Sequence, residues 1–252
     1  MVFTSRQEEE IRMDQMAISW DEIPAEYLRS TLPLNSSRGC FYRCRFCTYH
    51  WLFPEVHYKS IDVLKGELKK IDDLGFVKHV RFTDDNFTAN KTRIKAVLEM
   101  LIKEKFGFTW SSFARASALT PDLVELMKRS GCEFVDLGLE SGSQTILDNM
   151  DKRLKKEQSL AAIRMLNDYG IISRGSFIIG YPGETSDTFS ETTRMATSKC
   201  PTCGRVKMPH PPMGVQWKYP PEVRGRFSAT ETGIIYSFFF PKASFSAASL
   251  SL

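Results

Sequence analysis

Between Leu34 and about Glu184 the chain alternates two hydrophobic rhythms. Short apolar runs, VKHVRF (77–82), FTWSSFA (108–114), EFVDLGLE (133–140) and ISRGSFIIG (172–180), have the length and the β-branched and aromatic content of strands. Between them lie SIDVLKGELKKIDDLG (60–75), NKTRIKAVLEMLIKEK (90–105), TPDLVELMKRSG (120–131) and KEQSLAAIRMLNDYG (156–170). In these longer segments apolar residues recur three and four apart, the period that gives a helix one buried stripe. Their ends agree with their interiors. Ser60, Asn90 and Thr120 stand where an N-cap oxygen accepts an orphan amide, and Pro121 occupies a first helical position. Gly75, Gly131 and Gly170 stand where helices stop.

Strand–helix alternation of this kind implies parallel strands joined by helical crossovers, hence an α/β fold, either an open doubly wound sheet or a barrel. In both, chemistry belongs at the carboxyl ends of the strands. Two stretches fall outside the alternation. Residues 1–33 read as a polar lead-in that Trp20, Ile23, Tyr27 and Leu28 anchor to a surface. SETTRM (190–195) starts a helix whose pattern then stops. The last 57 residues hold seven of the 12 prolines, and GIIYSFFF (233–240) is their one strand-like run. Residues 196–252 therefore read as an irregular tail: either it is foreign to the fold and leaves the fifth strand with an unpaired edge, or GIIYSFFF supplies a sixth strand.

Composition narrows the class. With 252 residues, 42% of them apolar and 25% charged, the chain suits one globular domain with appendages and excludes wholesale disorder. No apolar run is long enough to span a bilayer, and MVFTSRQEEEIRMDQ lacks the apolar stretch of a secretory signal. A cytoplasmic protein without a membrane partner is the expectation. The net charge of +4 comes from the tail, where seven Lys and Arg face two Asp and Glu. The first 195 residues hold 27 basic against 28 acidic groups, which disfavours a nucleic-acid partner.

Cysteine placement says more. Cys40, Cys44 and Cys47 fall within SSRGCFYRCRFCTYHW (36–51) in the spacing CxxxCxxC, directly after the first strand candidate. In a reducing compartment such a group suggests a metal or cluster before a disulfide. Three thiolates hold three irons of a 4Fe–4S cubane and leave the fourth open to a substrate or cofactor. Zinc is the alternative and needs a fourth ligand such as His50 or His57. Tyr49, His50 and Trp51 either face a cavity or pack the loop. Cys132 reads as a buried apolar thiol. Cys200 and Cys203 resemble half of a zinc knuckle; no second pair is present and His210 adds only one ligand.

The cysteine motif, with Phe46 before its last Cys, resembles the signature of radical S-adenosylmethionine (radical SAM) enzymes. FTDDNFT (82–88), FARAS (113–117), DLGLESGS (136–143) and GSFIIGYPGET (175–185) follow in order, each at a strand end. Over about residues 34–195 this string is most similar to members that usually carry a cobalamin-binding domain. The resemblance implies a partial (β/α) barrel of five to six parallel strands. It implies a 4Fe–4S cluster on Cys40, Cys44 and Cys47 whose open iron chelates SAM. Phe46 would lie near the adenine. Asp84 and Asp85, after Thr83, would receive the methionine ammonium, and Arg115 the SAM carboxylate. Glu140 and Ser141 would meet the ribose or the amino group, and Gly180 and Gly183 would let backbone approach the adenine. Ser176 stands where the family often has glycine. Each site also has a plainer reading: Asp84 and Asp85 as a loop cluster, Arg115 as an ion-pair partner, GYPGE as a turn. A flavodoxin- or ferredoxin-like reductant and an unknown substrate would be the partners. Only 39 residues precede Cys40, against about 150 for a further domain, so cobalamin would come through a partner or a missing domain. An incomplete fragment that binds cluster and SAM without turnover, and a zinc-binding interaction module, are the competing readings.

Overall fold

The computed structural model describes residues 12–197. In chain order the strands are β1 (Thr31–Leu34), β2 (Ser37–Arg38), β3 (His57–Tyr58), β4 (His79–Phe82), β5 (Thr109–Ala114), β6 (Cys132–Glu140) and β7 (Ile172–Phe177). The helices are α1 (Tyr49–Leu52), α2 (Ile61–Asp73), α3 (Lys91–Glu104), α4 (Pro121–Arg129), α5 (Gln144–Asn149), α6 (Lys156–Asp168) and α7 (Ser186–Thr197). Five strands form one parallel sheet in the order β1-β4-β5-β6-β7, while β2 and β3 pair as a small antiparallel ribbon. This is the α/β architecture with parallel strands that the alternation implies, and the five-strand part barrel that the resemblance implies.

The helices start where the sequence says they should. Ser60 Oγ accepts the Val63 amide at 3.3 Å, Asn90 Oδ1 the Arg93 amide at 3.0 Å, and Thr120 Oγ1 the Leu123 amide at 3.4 Å. Each helix buries one stripe, as with Leu64, Leu68 and Ile71 on α2 and Ile94, Val97 and Leu98 on α3. These stripes cover one face of the sheet, which contributes Leu32, Leu34, Val80, Phe82, Trp110, Val135 and Leu137 to the core. Trp110 sits at its centre, edge-on to Phe82 at 5.7 Å, with its indole N–H donated to Ser130 O at 2.8 Å.

Several boundaries move. Residues 12–33 of the expected lead-in pack onto the domain: β1 begins at Thr31, and Trp20 and Leu28 are buried in the core while Tyr27 stays exposed. The reason is polar as well as apolar. Glu67 on α2 is buried, and it is satisfied by Lys59 Nζ at 2.6 Å and by the Ile18 amide at 2.7 Å. Strand β7 stops at Phe177 instead of Gly180. Helix α7 begins at Ser186, ahead of SETTRM, because Thr185 and Thr188 exchange hydroxyl–amide bonds that start the first turn. The ribbon β2–β3 and the short helices α1 and α5 have no signature in the hydrophobic pattern. GIIYSFFF, Cys200, Cys203 and His210 lie outside the described residues. No helix among those described is long and apolar enough to cross a membrane.

Candidate functional site

The chain leaves β1 and enters the cysteine loop under tight control from the end of β4. Asp84 is fully buried, and its carboxylate accepts the Ser36 amide at 2.7 Å and the hydroxyls of Ser36 and Ser37 at 2.5 and 2.7 Å. Burial pushes its carboxyl up from the ordinary value against those hydrogen bonds. Its neighbour Asp85 accepts the Gly39 amide at 2.7 Å and lies 3.9 Å from Arg38. Gly39 has φ +93°, and a Cβ there would fall 2.1 Å from the Glu55 carbonyl oxygen, so the position admits only glycine.

Cys40, Cys44 and Cys47 follow at the carboxyl end of the sheet as free thiols. Asn86 Nδ2 points at Cys40 Sγ from 3.9 Å, and Arg115 Nη1 at Cys44 Sγ from 4.0 Å. The Arg115 guanidinium is otherwise occupied by Ser117 Oγ at 3.1 Å, the Arg153 carbonyl at 3.0 Å and the Tyr42 ring at 3.6 Å. Among the described residues it has no carboxylate partner, so the ion-pair reading does not hold. The loop is fastened to α5 by the Arg45 amide on Met150 O at 2.9 Å. Burial, and after it the sulfurs of Cys44 and Cys40, push the Cys47 thiol up, against a backbone hydrogen bond from Tyr49. On α1, Tyr49, Trp51 and Leu52 are exposed.

This donor set fits a cubane better than a single ion. Among the described residues no three of His, Cys, Asp and Glu converge where one metal ion would sit, so His50 and His57 do not complete a zinc site with the cysteines. Three soft thiols spread along a loop, two of them facing N–H donors, match what an iron–sulfur cluster asks of its protein.

A second group of side chains closes the rim. Strand β6 ends at Glu140, whose φ of +63° turns the chain sharply. Its carboxylate pairs with Lys152 Nζ at 2.7 Å, and both side chains are about a tenth exposed, at 10% and 9%. A Cβ at Gly138 would sit 2.6 Å from Glu140 Oε1, so that glycine makes room for the carboxylate to fold back. Lys152 also lies over the Phe46 ring at 5.5 Å, which ties the rim of β6 to the cysteine loop. Ser141 points elsewhere: its hydroxyl meets Thr192 on α7 at 2.9 Å and takes the Ser143 amide at 3.1 Å. Gly180 and Gly183 both have positive φ, +80° and +92°, in a turn closed by the Glu184 amide on Tyr181 O at 2.9 Å. The Gly180 amide donates to the Glu184 carboxylate, whose carboxyl burial holds above its usual range. Ser176 is half-buried and pairs in register with Gly138.

The structure thus gathers Cys40, Cys44, Cys47, Phe46, Asp85, Arg115 and Glu140 at one end of the sheet. It commits Asp84 and Ser141 to partners within the chain. Sequence reasoning gave no role to Lys152 or Tyr42, and took Asn86 only as part of the FTDDNFT cluster; Lys152 left a trace as a lysine between the buried Met150 and Leu154.

The family model for the Radical SAM superfamily matches residues 34–196. The chain belongs to the radical SAM superfamily. An uncharacterized methyltransferase of Pyrococcus horikoshii is 30% identical over 190 residues, 73% of this chain and 41% of that protein. The anaerobic magnesium-protoporphyrin IX monomethyl ester cyclase of Rubrivivax gelatinosus is 33% identical over 172 residues, 64% of this chain and 30% of the cyclase. Among solved structures, the cobalamin-dependent radical SAM enzyme OxsB with bound aqua-cobalamin superposes with a TM-score of 0.60 at 25% identity, over 66% of this chain and 26% of that one. The chain therefore spans less than half the length of these relatives, and it matches their radical SAM portion.

Proposed function

We propose that this chain holds a 4Fe–4S cluster on Cys40, Cys44 and Cys47, binds S-adenosylmethionine beside it, and serves a radical SAM methyl-transfer or cyclisation reaction. The observation that carries this reading is the trio of free cysteines at the carboxyl end of the sheet, with Asn86 and Arg115 aiming N–H groups at two of the sulfurs. When bound, the pair supplies one-electron cleavage of the sulfonium to methionine and a 5′-deoxyadenosyl radical, or a methyl group for transfer. The chain's own residues place and shield it. Phe46 offers an apolar ring beside the last cysteine for the adenine. Glu140, paired with Lys152, accepts a ribose hydroxyl or the methionine ammonium. Asp85 is the second carboxylate at the rim, and Arg115 the cation for the SAM carboxylate. Asp84 and Ser141 act through the chain, by fixing the loop entry and the α7 contact. Curated relatives that are methyltransferases, a cyclase and ribosomal-protein methylthiotransferases favour methyl transfer, thiomethylation or ring closure. A flavodoxin- or ferredoxin-like donor would supply the electron, and cobalamin, where used, would come from another domain or partner. A cytoplasmic setting suits both.

Anaerobic reconstitution tests the reading. The protein should take up about four irons per chain, and Cys40→Ala, Cys44→Ala and Cys47→Ala should each abolish uptake while Cys132→Ala does not. With dithionite and SAM it should release 5′-deoxyadenosine. Full iron content in Cys44→Ala overturns the cluster assignment, and a full cluster without SAM cleavage favours the incomplete-fragment reading.

A further inference from the structure

Each sulfur of the cysteine loop faces an N–H group, and the three donors are of different kinds. Cys47 takes a backbone amide, that of Tyr49. Cys44 faces Arg115 Nη1 at 4.0 Å, a cation that also holds Ser117, the Arg153 carbonyl and the Tyr42 ring. Cys40 faces Asn86 Nδ2 at 3.9 Å, a neutral side-chain amide. Asn86 differs from the other two in having no second task at the site. The Tyr49 amide is part of the main chain, and Arg115 is the cation for the SAM carboxylate.

The orientation of the Asn86 amide is fixed from behind. Thr88 Oγ1 accepts the Arg115 backbone amide at 3.4 Å and donates its one proton to Asn86 Oδ1 at 3.0 Å. An amide whose oxygen is held in this way presents its nitrogen to the other side, where Cys40 lies. Asn86, Thr88 and Arg115 are all buried, so water competes little for these bonds. The backbone around them is clamped as well. The Phe87 amide donates to Phe113 O at 3.2 Å and the Ala89 amide to Asn86 O at 3.0 Å, while the Phe87 ring stacks on Phe82 at 4.7 Å. Donor, orienting hydroxyl and supporting backbone thus come from the ends of two adjacent strands, β4 and β5, which holds the N–H in one place.

We propose that Asn86 is a positioning residue that raises the reduction potential of the cluster by donating its side-chain N–H to Cys40 Sγ, and that Thr88 acts through it by fixing the amide. The role rests on the reading of Cys40, Cys44 and Cys47 as 4Fe–4S ligands. Reduction adds one electron, supplied by the external donor, and with it negative charge on the sulfurs. An N–H aimed at a ligating sulfur stabilises the reduced form more than the oxidised one, so the electron is accepted at a higher potential.

Anaerobic redox titration of the reconstituted full-length chain, without SAM and followed by electron paramagnetic resonance, tests this role. Asn86→Leu keeps a branched side chain and removes the donor. It should lower the one-electron equilibrium constant for reduction about tenfold, equivalent to about 59 mV. Asn86→Asp turns a carboxylate oxygen toward Cys40 and should lower the potential further. Thr88→Val frees Asn86 Oδ1 and should lower it by less, whereas Thr88→Ser keeps the hydroxyl and should return the parent value. Unfolding followed by circular dichroism on the same variants separates a changed fold from a changed potential, since a merely structural role moves the first and not the second. A parent-like midpoint in Asn86→Leu at full iron content overturns the assignment. Loss of iron in Asn86→Leu and Thr88→Val alike, with the fold intact, also overturns it, because Asn86 would then serve cluster assembly. Iron measured in the parent keeps the two readings apart. A parent without iron defeats the functional reading and this role with it, whereas a full cluster whose potential ignores Asn86 defeats this role alone.

Discussion

The two faces of the sheet are built from the same strands and obey opposite rules. On the outer face Phe82, Trp110, Val135 and Leu137 are completely buried, and every one packs against helix stripes. On the inner face and at its carboxyl rim the buried groups include charged and hydroxylic ones, Ser111, Asp136, Asp84 and Glu140, beside the Phe134 ring. Apolar burial lowers free energy wherever it occurs, by roughly 25 cal/mol per Å², and asks nothing of geometry beyond fit. A buried charge is tolerated only with partners in place. The outer face therefore stabilises the domain, while the rim and inner face use that stability to hold polar groups in fixed positions.

Three tests sharpen or break this contrast. The largest effect is expected on the outer face. Trp110→Ala removes the central side chain and its hydrogen bond to Ser130, and should destabilise by about 3–5 kcal/mol in urea unfolding. A loss below 1 kcal/mol would mean that the outer face is not the main source of stability.

The rim should respond more selectively. Lys152→Met leaves the Glu140 carboxylate buried and unpaired, at a cost of about 3 kcal/mol. Adding Glu140→Gln in the same chain should recover part of that loss, because a neutral amide is cheaper to bury than a charge. If the double variant is no better than the single one, the pair is not what Lys152 contributes.

The smallest effect should come from the inner face, as a pH dependence. Burial raises the Asp136 carboxyl above its ordinary value, and Arg81 and Arg174 oppose it only in part. The native state thus keeps a proton that the unfolded chain has already released. The stabilisation is whole below about pH 3.9 and declines as pH rises through the folded-state value. Asp136→Asn keeps an oxygen for Arg81 and should flatten that decline. The raised carboxyls of Asp84, Asp85 and Glu184 carry the same sign and should leave a residual slope. Identical pH–stability curves for parent and variant between pH 4 and 7 would remove Asp136 from the account.

How much of this was legible in advance differs by region. The helix stripes and caps were readable because Ser60, Asn90 and Thr120 act within three residues of themselves. The cysteine trio and the four strand-end motifs were readable because spacing and order carry them. The integration of residues 12–30 was not, since Glu67 and Ile18 meet across 49 positions. Lys152 was missed for the same reason: its meaning depends on Glu140, Phe46 and a short helix too brief to show a period.

The sequence by itself determined the α/β alternation, the capped starts of α2, α3 and α4, the cysteine loop and the superfamily, because each depends on local periodicity or on motif spacing. Only the tertiary structure decided what neighbouring carboxylates do. Asp84 and Asp85 are adjacent and chemically identical, yet one is locked on Ser36 and Ser37 and the other stands at Gly39 beside the cysteines. It also decided that Arg81 pairs with Asp136 while Arg174 lies over the Phe134 ring. A side chain's role depends on which donors, acceptors and rings surround it in space, and chain positions far apart in sequence supply those.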